Sequence, residues 1–471
     1  MFHKLLIANR GEIAVRIERA CAEMGIRSVA VYTDPDRFAL HVKRADEAYF
    51  IGDAPLAGYL DARRLVDLAC ETGCDAIHPG YGFLAESADF AALCAEAGIA
   101  FIGPDAKVIA RMTDKVRSRR LMQDAGIPVT PGTLTELSSL DEALVQAEDI
   151  GYPVMLKAVA GGGGRGIRRC ESAEQLGKIW EWVVAEAGSH FGSEAVFLEK
   201  CIVDAQHIEV QVLADRHGGV IHLFERDCSI QRHNRKLLEI APCPRLTPEQ
   251  RAYVGMLAMR AAQVVGYENA GTVEFLVRGN EIYFMEMNTR IQVEHTVTEA
   301  VTGVDIVCEQ IRIAAGHKLS FRQEDIRHHG YALQFRINAE DPRNDFLPSF
   351  GRITRYYAPG GPGVRTDTAI YTGYQIPPYF GVLCLKLIVW GMTWEETLNR
   401  GIRALNDMRL QGIKTNAALF EAILRHPDFR SGNFDTGFVA SRPELLNYSA
   451  KRNPEEVALA IAAAIAAHAG L

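Results

Sequence analysis

The sequence has 471 residues and a formal net charge of -8, and a chain of that length exceeds what one core carries, so two or three packed units are expected. With 48% hydrophobic and 23% charged residues it has the composition of a globular enzyme. It contains no long basic run, which excludes an electrostatic footprint for nucleic acid.

Residues 1–112 alternate short apolar runs with helical patterns. KLLIAN, RSVAVYT, EAYFIG, DAIHPG and AFIGP predict strands, and GEIAVRIERACAEMG and YLDARRLVDLACETG predict amphipathic helices between them. That alternation implies a parallel sheet with helices on both faces. No G-x-G-x-x-G follows the first strand, so a dinucleotide role is poorly supported. The opening apolar run is short and is followed by Arg10 and Glu12, which argues against a secretory leader. No apolar stretch reaches the length that spans a bilayer, so no membrane partner is expected. Residues 113–130 predict a connecting helix ending near Gly126-Ile127-Pro128, with its RSRR run at 117–120 on a solvated face. Residues 131–203 predict a compact α+β lid containing YPVMLKAVAGGGGRGIRR, a long helix through Trp180 and Trp182, and the strand AVFLEKCI. The two tryptophans are expected to pack that helix.

From 204 to 446 strand-like runs dominate: HIEVQVLAD, GVIHLFERD, AGTVEFLV, EIYFMEMN, YALQFRINAED and GRITRYYAPG, with helices near 248–266 and 300–315. His328-His329 is expected on the surface. Residues 447–471 form a tail whose Ala-rich run begins at Pro454. Proline at the first helical position, with Glu455 and Glu456 beside the positive end of the dipole, favours a helix there. Ten cysteines are scattered without a C-x-x-C pair, and the histidines show no metal-ligand spacing. These features predict reduced thiols in a cytoplasmic protein.

Three groups of residues carry chemistry. Gly161 to Gly164, with Arg165 and Gly166, follow a strand that ends near Lys157. Glycines let backbone N–H groups approach phosphate oxygens, and the lysine supplies a charge that reaches them. Next, GTVEFLV and EIYFMEMN read as strands joined by a three-residue loop, Arg278-Gly279-Asn280. That register would put Glu274, Leu276, Phe284, Glu286 and Asn288 on one face. Two carboxylates and an amide oxygen make a site for Mg²⁺ or Mn²⁺ bridging phosphates. Last, Arg290 offers a planar fork for a small oxyanion, and nearby Glu294 is a candidate general base.

At these residues a resemblance emerges. EMNTRIQVEH at 286–295, IANRGEIA at 7–14, HPGYGFL at 78–84, RINAEDP at 336–342 and GIKTN at 412–416 run in the order found in the biotin carboxylase family of ATP-grasp enzymes. The likeness extends over roughly residues 1–446, and with its tail the chain looks most similar to the biotin carboxylase subunits of two-subunit pyruvate carboxylases. Subunits of acetyl-CoA or other acyl-CoA carboxylases, and a non-catalytic nucleotide-binding regulator, are the alternatives. The resemblance implies an N-terminal parallel α/β domain at 1–112, a lid at 131–203 and a catalytic α+β domain at 204–446. It also implies roles for single residues. Lys115, Lys157, Gly163 and Gly164 would contact ATP phosphates. The segment Glu199, Lys200, Cys201 and Ile202 would form the hinge that meets adenine, with His207, Gln231, Asn234 and Leu276 lining the nucleotide site. Glu274, Glu286 and Asn288 would hold the metal. Lys236, Arg290, Gln292 and Val293 would bind bicarbonate, Glu294 would be the base, and Arg336 and Tyr81 would face biotin.

Biotin would be a substrate, because no lysine stands in the Met-Lys-Met setting of a biotinyl domain. The biotinylated carrier and the carboxyltransferase would then be separate partners. Arg19 and Glu23 match positions at the subunit interface of a homodimer. Two departures stand out. Asn234 occupies a position that is commonly His, and Phe380-Gly381-Val382-Leu383 replaces a segment such as Tyr-Asp-Ser-Met. The tail helix would set Val457, Ile461, Ile465 and His468 in a stripe with Leu459 nearby, and it needs a surface to dock on, on its own body or on a partner.

Overall fold

The computed structural model describes residues 1–160, 166–448 and 454–469. The first unit is a five-stranded sheet of order β3-β2-β1-β4-β5. It comprises β1 (Lys4–Ile7), β2 (Arg27–Tyr32), β3 (Glu47–Phe50), β4 (Ala76–His78) and β5 (Ala100–Phe101), all paired in parallel. The near-continuous apolar runs of the central strands follow from burial on both faces. Helix Gly11–Glu23 covers one face with Ile13, Ile17 and Cys21, and helix Ala62–Glu71 covers the other with Leu65 and Leu68.

Two short helices, Ala106–Thr113 and Lys115–Asp124, lead to the lid. The lid is a three-stranded antiparallel sheet in which β6 (Val154–Ala158) lies between β7 (Ile167–Cys170) and β8 (Val196–Lys200). Helices Leu140–Ile150 and Ala173–Phe191 bury Ala143, Ala147, Leu176 and Val183 against Leu156 and Leu198. Trp180 packs into this small core. Trp182 does not: it is 50% exposed and lies under the Arg168 guanidinium, 4.0 Å from the ring centre.

The largest element is an eight-stranded antiparallel sheet. Its strands are β9 (Gln206–Ala214), β10 (Val220–Arg232), β11 (Arg235–Ala241), β12 (Asn269–Arg278), β13 (Glu281–Asn288), β14 (Tyr331–Asn338), β15 (Val364–Thr368) and β16 (Leu383–Gly391). Their order is β13-β12-β9-β10-β11-β14-β16-β15. Along β9 the residues alternate: Ile208, Val210 and Val212 enter a core under helix Pro248–Val265, while His207, Glu209 and Gln211 take the other face. All six are buried, so this polar face does not meet bulk water. Polar groups placed there need partners, and supplying them creates the site.

The sheet corrects three expectations. The turn between β12 and β13 has two residues, Gly279 and Asn280, because Arg278 pairs with Glu281. Gly279, at φ 59°, takes the left-handed conformation such a turn demands. A bulge then shifts the register between Glu274–Glu286 and Phe275–Phe284. Glu274, Glu286 and Asn288 keep one face, but Phe284 turns into the apolar core beside Phe275. The helix expected over 300–315 is two, His295–Thr302 and Ile306–Ala314, separated at Gly303 with φ 73°.

The tail forms helix Pro454–Ala469, as its composition suggests. Leu459, Ile461 and Ile465 are exposed, so they do not dock on the chain's own body. Among the described residues no helix is long and apolar enough to cross a membrane, and all ten cysteines are free thiols.

Candidate active site

The site is built on one row of the large sheet. Glu286 on β13 stands opposite Glu274 on β12, Glu274 opposite Glu209 on β9, and Glu209 opposite Arg226 on β10. Three neighbouring carboxylates repel one another unless cations are interleaved. Lys236, from β11, enters this row and contacts Glu209, Glu274 at 2.9 Å and Glu294 at 2.8 Å. Burial disfavours its charged form, but the three carboxylates outweigh burial and hold the ammonium well above its ordinary pKa. Arg226, fully buried, binds Glu209, Gln211 at 2.9 Å and Gln292 at 2.6 Å.

The loop after β13 brings the EMNTRIQVEH residues over this row. The Gln292 amide donates to Glu274 Oε1 at 2.6 Å, as does that of Asn288 at 2.8 Å. His207 Nε2 lies 2.6 Å from the other Glu274 oxygen. Glu294 is 2% exposed at the N-terminus of helix His295–Thr302, its oxygens taken by Lys236 and by Arg336 at 2.8 Å. Burial would raise its pKa; Lys236, then Arg336 and Arg226, outweigh burial and keep it well below the usual carboxylate range. Arg290 reaches Glu86 at 2.9 Å and the Asn288 side-chain oxygen at 3.1 Å.

Nucleotide-side residues form a second cluster. Lys115 pairs with Glu286 at 2.9 Å, and Lys157 pairs with Glu199. Glu199 also binds Arg119, which is 1% exposed and tied to Thr130 at 2.6 Å. Arg119 is therefore not on a solvated face, because a buried carboxylate of the lid hinge requires its charge. Ile202 is buried at the hinge and Gln231 is buried on β10. Leu276 lies opposite His207. Lys200 and Asn234, two further residues implied at the nucleotide, have side chains in other settings here. The Lys200 ammonium donates to the carbonyls of Gly151 at 2.7 Å and Tyr152 at 2.9 Å, fastening the lid to itself. Asn234 is exposed at the β10–β11 turn, where His233 and Asn234 have φ of 49° and 58°. A two-residue turn with both central residues left-handed favours Asn, which explains that departure locally. Gly163 and Gly164 lie outside the described residues.

The second departure is also accounted for. Phe380 packs its ring under the Arg10 guanidinium at 3.8 Å and edge-on to Tyr59 at 5.8 Å. The Val382 carbonyl accepts from the Ala339 N–H at 2.8 Å, and a side chain at Gly381 would meet only open space. The segment is thus held by aromatic and backbone contacts that need no acidic side chain.

Several groups escaped the sequence reading: Glu209, Arg226, Glu239, Arg119, and the pair Glu12 and Lys386. Only Glu209 left a signal, as a charge alternating with β-branched residues in HIEVQV. Glu239 is fully buried against Arg336 and donor Gln334, and burial pushes its carboxyl up to about 7 against the pull of Arg336. Glu274, Glu286 and Asn288 offer oxygen donors from one face of β12 and β13, a hard set that fits Mg²⁺ or Mn²⁺, although here Glu286 is paired with Lys115 and Asn288 turns its amide nitrogen to Glu274.

Comparison with known proteins accords with this geometry. Residues 1–109 match the biotin carboxylase N-terminal domain, residues 114–322 the ATP-binding domain of the carbamoyl-phosphate synthase L chain, and residues 334–441 the biotin carboxylase C-terminal domain. The chain is 54% identical to the 2-oxoglutarate carboxylase small subunit of Hydrogenobacter thermophilus, over 100% of both chains. It is 51% identical to a pyruvate carboxylase subunit of Methanothermobacter thermautotrophicus, over 93% of this chain and 90% of that one. The crystal structure of the Hydrogenobacter biotin carboxylase domain dimer, with MgADP, ADP and bicarbonate, superposes with a TM-score of 0.94 over 96% of this chain and 100% of that one, at 54% identity. With the ATP-grasp fold and the carboxylate–cation row in place, the chain belongs to the biotin carboxylase family, ligases that carboxylate biotin at the expense of ATP and bicarbonate.

Proposed function

We propose that this chain is the biotin carboxylase subunit of a two-subunit pyruvate carboxylase, acting on biotin carried by a separate protein that also bears the carboxyltransferase. The observation that carries the reading is Glu294 clasped between Lys236 and Arg336, with Arg290 on the same loop. Bicarbonate is a poor nucleophile until it loses its proton. As its anion takes a share of Lys236 and Arg290, Glu294 loses cationic compensation and its proton affinity rises toward that of a working base. Glu294 then removes the proton while the bicarbonate oxygen attacks the terminal phosphate of ATP, giving carboxyphosphate and ADP. Lys115 and Lys157 turn from their carboxylates to the phosphates and offset the developing charge. Glu274, Glu286 and Asn288 would hold a divalent cation, which supplies charge neutralisation at the phosphates when bound. Lid residues exclude water from the labile product. Carboxyphosphate splits to CO₂ and phosphate, the phosphate accepts the N1 proton of biotin while Arg336, aimed by Glu239, stabilises the ureido oxygen, and N1 attacks the carbon of CO₂ to give carboxybiotin.

A second reading concerns the acceptor alone. The match to the 2-oxoglutarate carboxylase small subunit spans this whole chain, tail included, and favours 2-oxoglutarate as the acid that finally receives the carboxyl group. Both acceptors are 2-oxo acids, and both would be chosen by the carboxyltransferase. The test is to isolate the complex through its biotinylated partner and supply pyruvate, 2-oxoglutarate and acetyl-CoA in turn with labelled bicarbonate. Label fixed with pyruvate supports the proposal. Label fixed only with 2-oxoglutarate moves it to the second reading, and label fixed only with acetyl-CoA overturns both.

A further inference from the structure

Beneath the catalytic loop lies a buried charge pair that the steps above do not use. Lys386 on β16 is fully buried and stands directly opposite Arg336 on β14 and Asp367 on β15, so the three side chains share one face of the sheet. Its ammonium lies 3.0 Å from a carboxylate oxygen of Glu12 and donates to the Val293 carbonyl at 3.1 Å. The other Glu12 oxygen accepts from the Tyr81 hydroxyl. Glu12 sits in the first turn of helix Gly11–Glu23, where the helix dipole favours a carboxylate. One ammonium thus reaches two segments of separate units: the loop that carries Arg290 and Glu294, and the HPGYGFL turn that carries Tyr81.

Stability is a poor explanation for this pair. Burying two charges costs desolvation that their attraction barely offsets, and an apolar pair of the same size packs at least as well. A charge pair gives something an apolar pair does not: directed hydrogen bonds that fix a carbonyl and a hydroxyl. We propose that Lys386 is a positioning residue for biotin carboxylation, setting the Val293 carbonyl directly and the Tyr81 hydroxyl through Glu12. This rests on the biotin carboxylase reading of the site, in which Tyr81 and Arg336 face biotin.

The test compares Lys386→Met, Glu12→Gln, the double variant Glu12→Gln/Lys386→Met and Lys386→Arg with the parent chain. Three quantities are read: melting temperature, bicarbonate-dependent ATP cleavage without biotin, and the KM for free biotin together with the fraction of cleaved ATP captured as carboxybiotin. Removing both charges avoids a lone buried ion, so the double variant is expected to melt close to the parent. Glu12→Gln keeps the Lys386 bond to the Val293 carbonyl, so its KM for biotin is expected to rise about tenfold or more, with captured carboxybiotin falling alongside, while ATP cleavage without biotin changes less than threefold, roughly the pattern of a misplaced binding group. The double variant also frees that carbonyl, beside the bicarbonate residues, and is expected to lose ATP cleavage in addition. Lys386→Arg, which keeps a donor and a charge, should recover part of the lost capture. Where Lys386→Met does not fold, the near-isosteric Glu12→Gln decides the Tyr81 arm by the same KM. Full recovery of biotin turnover in the double variant along with its melting temperature would overturn the proposal. So would a uniform loss of both activities in Glu12→Gln. A parent chain with no biotin-dependent turnover would instead overturn the proposed function itself.

Discussion

Glu294 illustrates how little of a residue's chemistry its type decides. Its carboxylate is held in a charge network that Lys236 and Arg336 dominate, and its strength as a base is set by how far an incoming anion draws those cations away. Replacing it with glutamine keeps the shape and one acceptor, turns an N–H donor toward Lys236 or Arg336 at the other position, and removes the base. Glu294→Gln is expected to bind ATP as the parent does and to lose bicarbonate-dependent ATP cleavage by roughly 10²–10⁴-fold. Isothermal titration with a nonhydrolysable analogue and a coupled ATPase assay measure the two halves. Glu18 shows the opposite environment. Its side chain is buried with neither oxygen hydrogen-bonded, and burial, against the pull of Arg44 and Arg19, pushes its carboxyl up to about 8. A carboxyl whose folded pKa is raised favours the fold at low pH. That contribution is lost as pH rises from the unfolded value, about 4.3, through the folded one. Thermal melting of Glu18→Gln between pH 6 and pH 9 should therefore fall less than that of the parent. Parallel pH profiles would show that this carboxyl is already ionised in the fold at pH 6 and overturn the raised value.

At the scale of elements, what was legible followed periodicity. Strands of the parallel sheet, the long lid helix and the tail helix were all readable because apolar spacing and capping residues act within a few positions of themselves. The shared face of Glu274, Glu286 and Asn288 was readable from strand alternation, whereas Phe284 was misplaced because a bulge leaves no mark in composition. Arg119 was misread for a related reason: a basic run looks solvated until a distant carboxylate, Glu199, is folded onto it. Lys386, Glu12 and Glu239 were invisible because their partners lie across the sheet or in another unit. Helix Pro454–Ala469 supplies the element-scale prediction. Leu459, Ile461 and Ile465 are exposed on a helix too short to be very stable alone, so a partner surface is the remaining place to bury them. Deleting residues 454–471 is expected to leave carboxylation of free biotin unchanged and to weaken assembly with the biotin-carrying partner. Analytical size exclusion of the mixed chains measures this, and equal assembly by the shortened chain would count against partner docking.

For the whole molecule, helix Gly11–Glu23 joins separate concerns. Its inner face buries Ile13 and Ile17, its first turn holds Glu12 beneath the catalytic loop, and its outer face presents Arg19 and Glu23. Arg19 is 41% exposed and approaches Asp367 at 3.7 Å, within a network where Arg365 binds Asp367 and Glu299. These contacts place a candidate subunit interface one helix away from the site. Self-association as a dimer is the expected outcome of sedimentation velocity at micromolar concentration, with Arg19→Glu shifting the population toward monomer. A parent chain that sediments as monomer would reject this assembly.

The pairing of Lys115 with Glu286 and of Lys157 with Glu199 makes nucleotide entry an exchange of counter-ions. Neither lysine is free positive charge waiting for phosphate. Each can turn toward ATP only as its carboxylate finds another counter-charge, and an abandoned buried carboxylate is costly. For Glu286 that replacement can arrive with the nucleotide as a divalent cation. For Glu199 it is already present as Arg119. The nucleotide and its cation therefore enter together, as a complex less charged than the nucleotide alone. Their affinity should vary less with ionic strength than that of a groove lined by unpaired lysines, and nucleotide stripped of its cation should be a poor ligand.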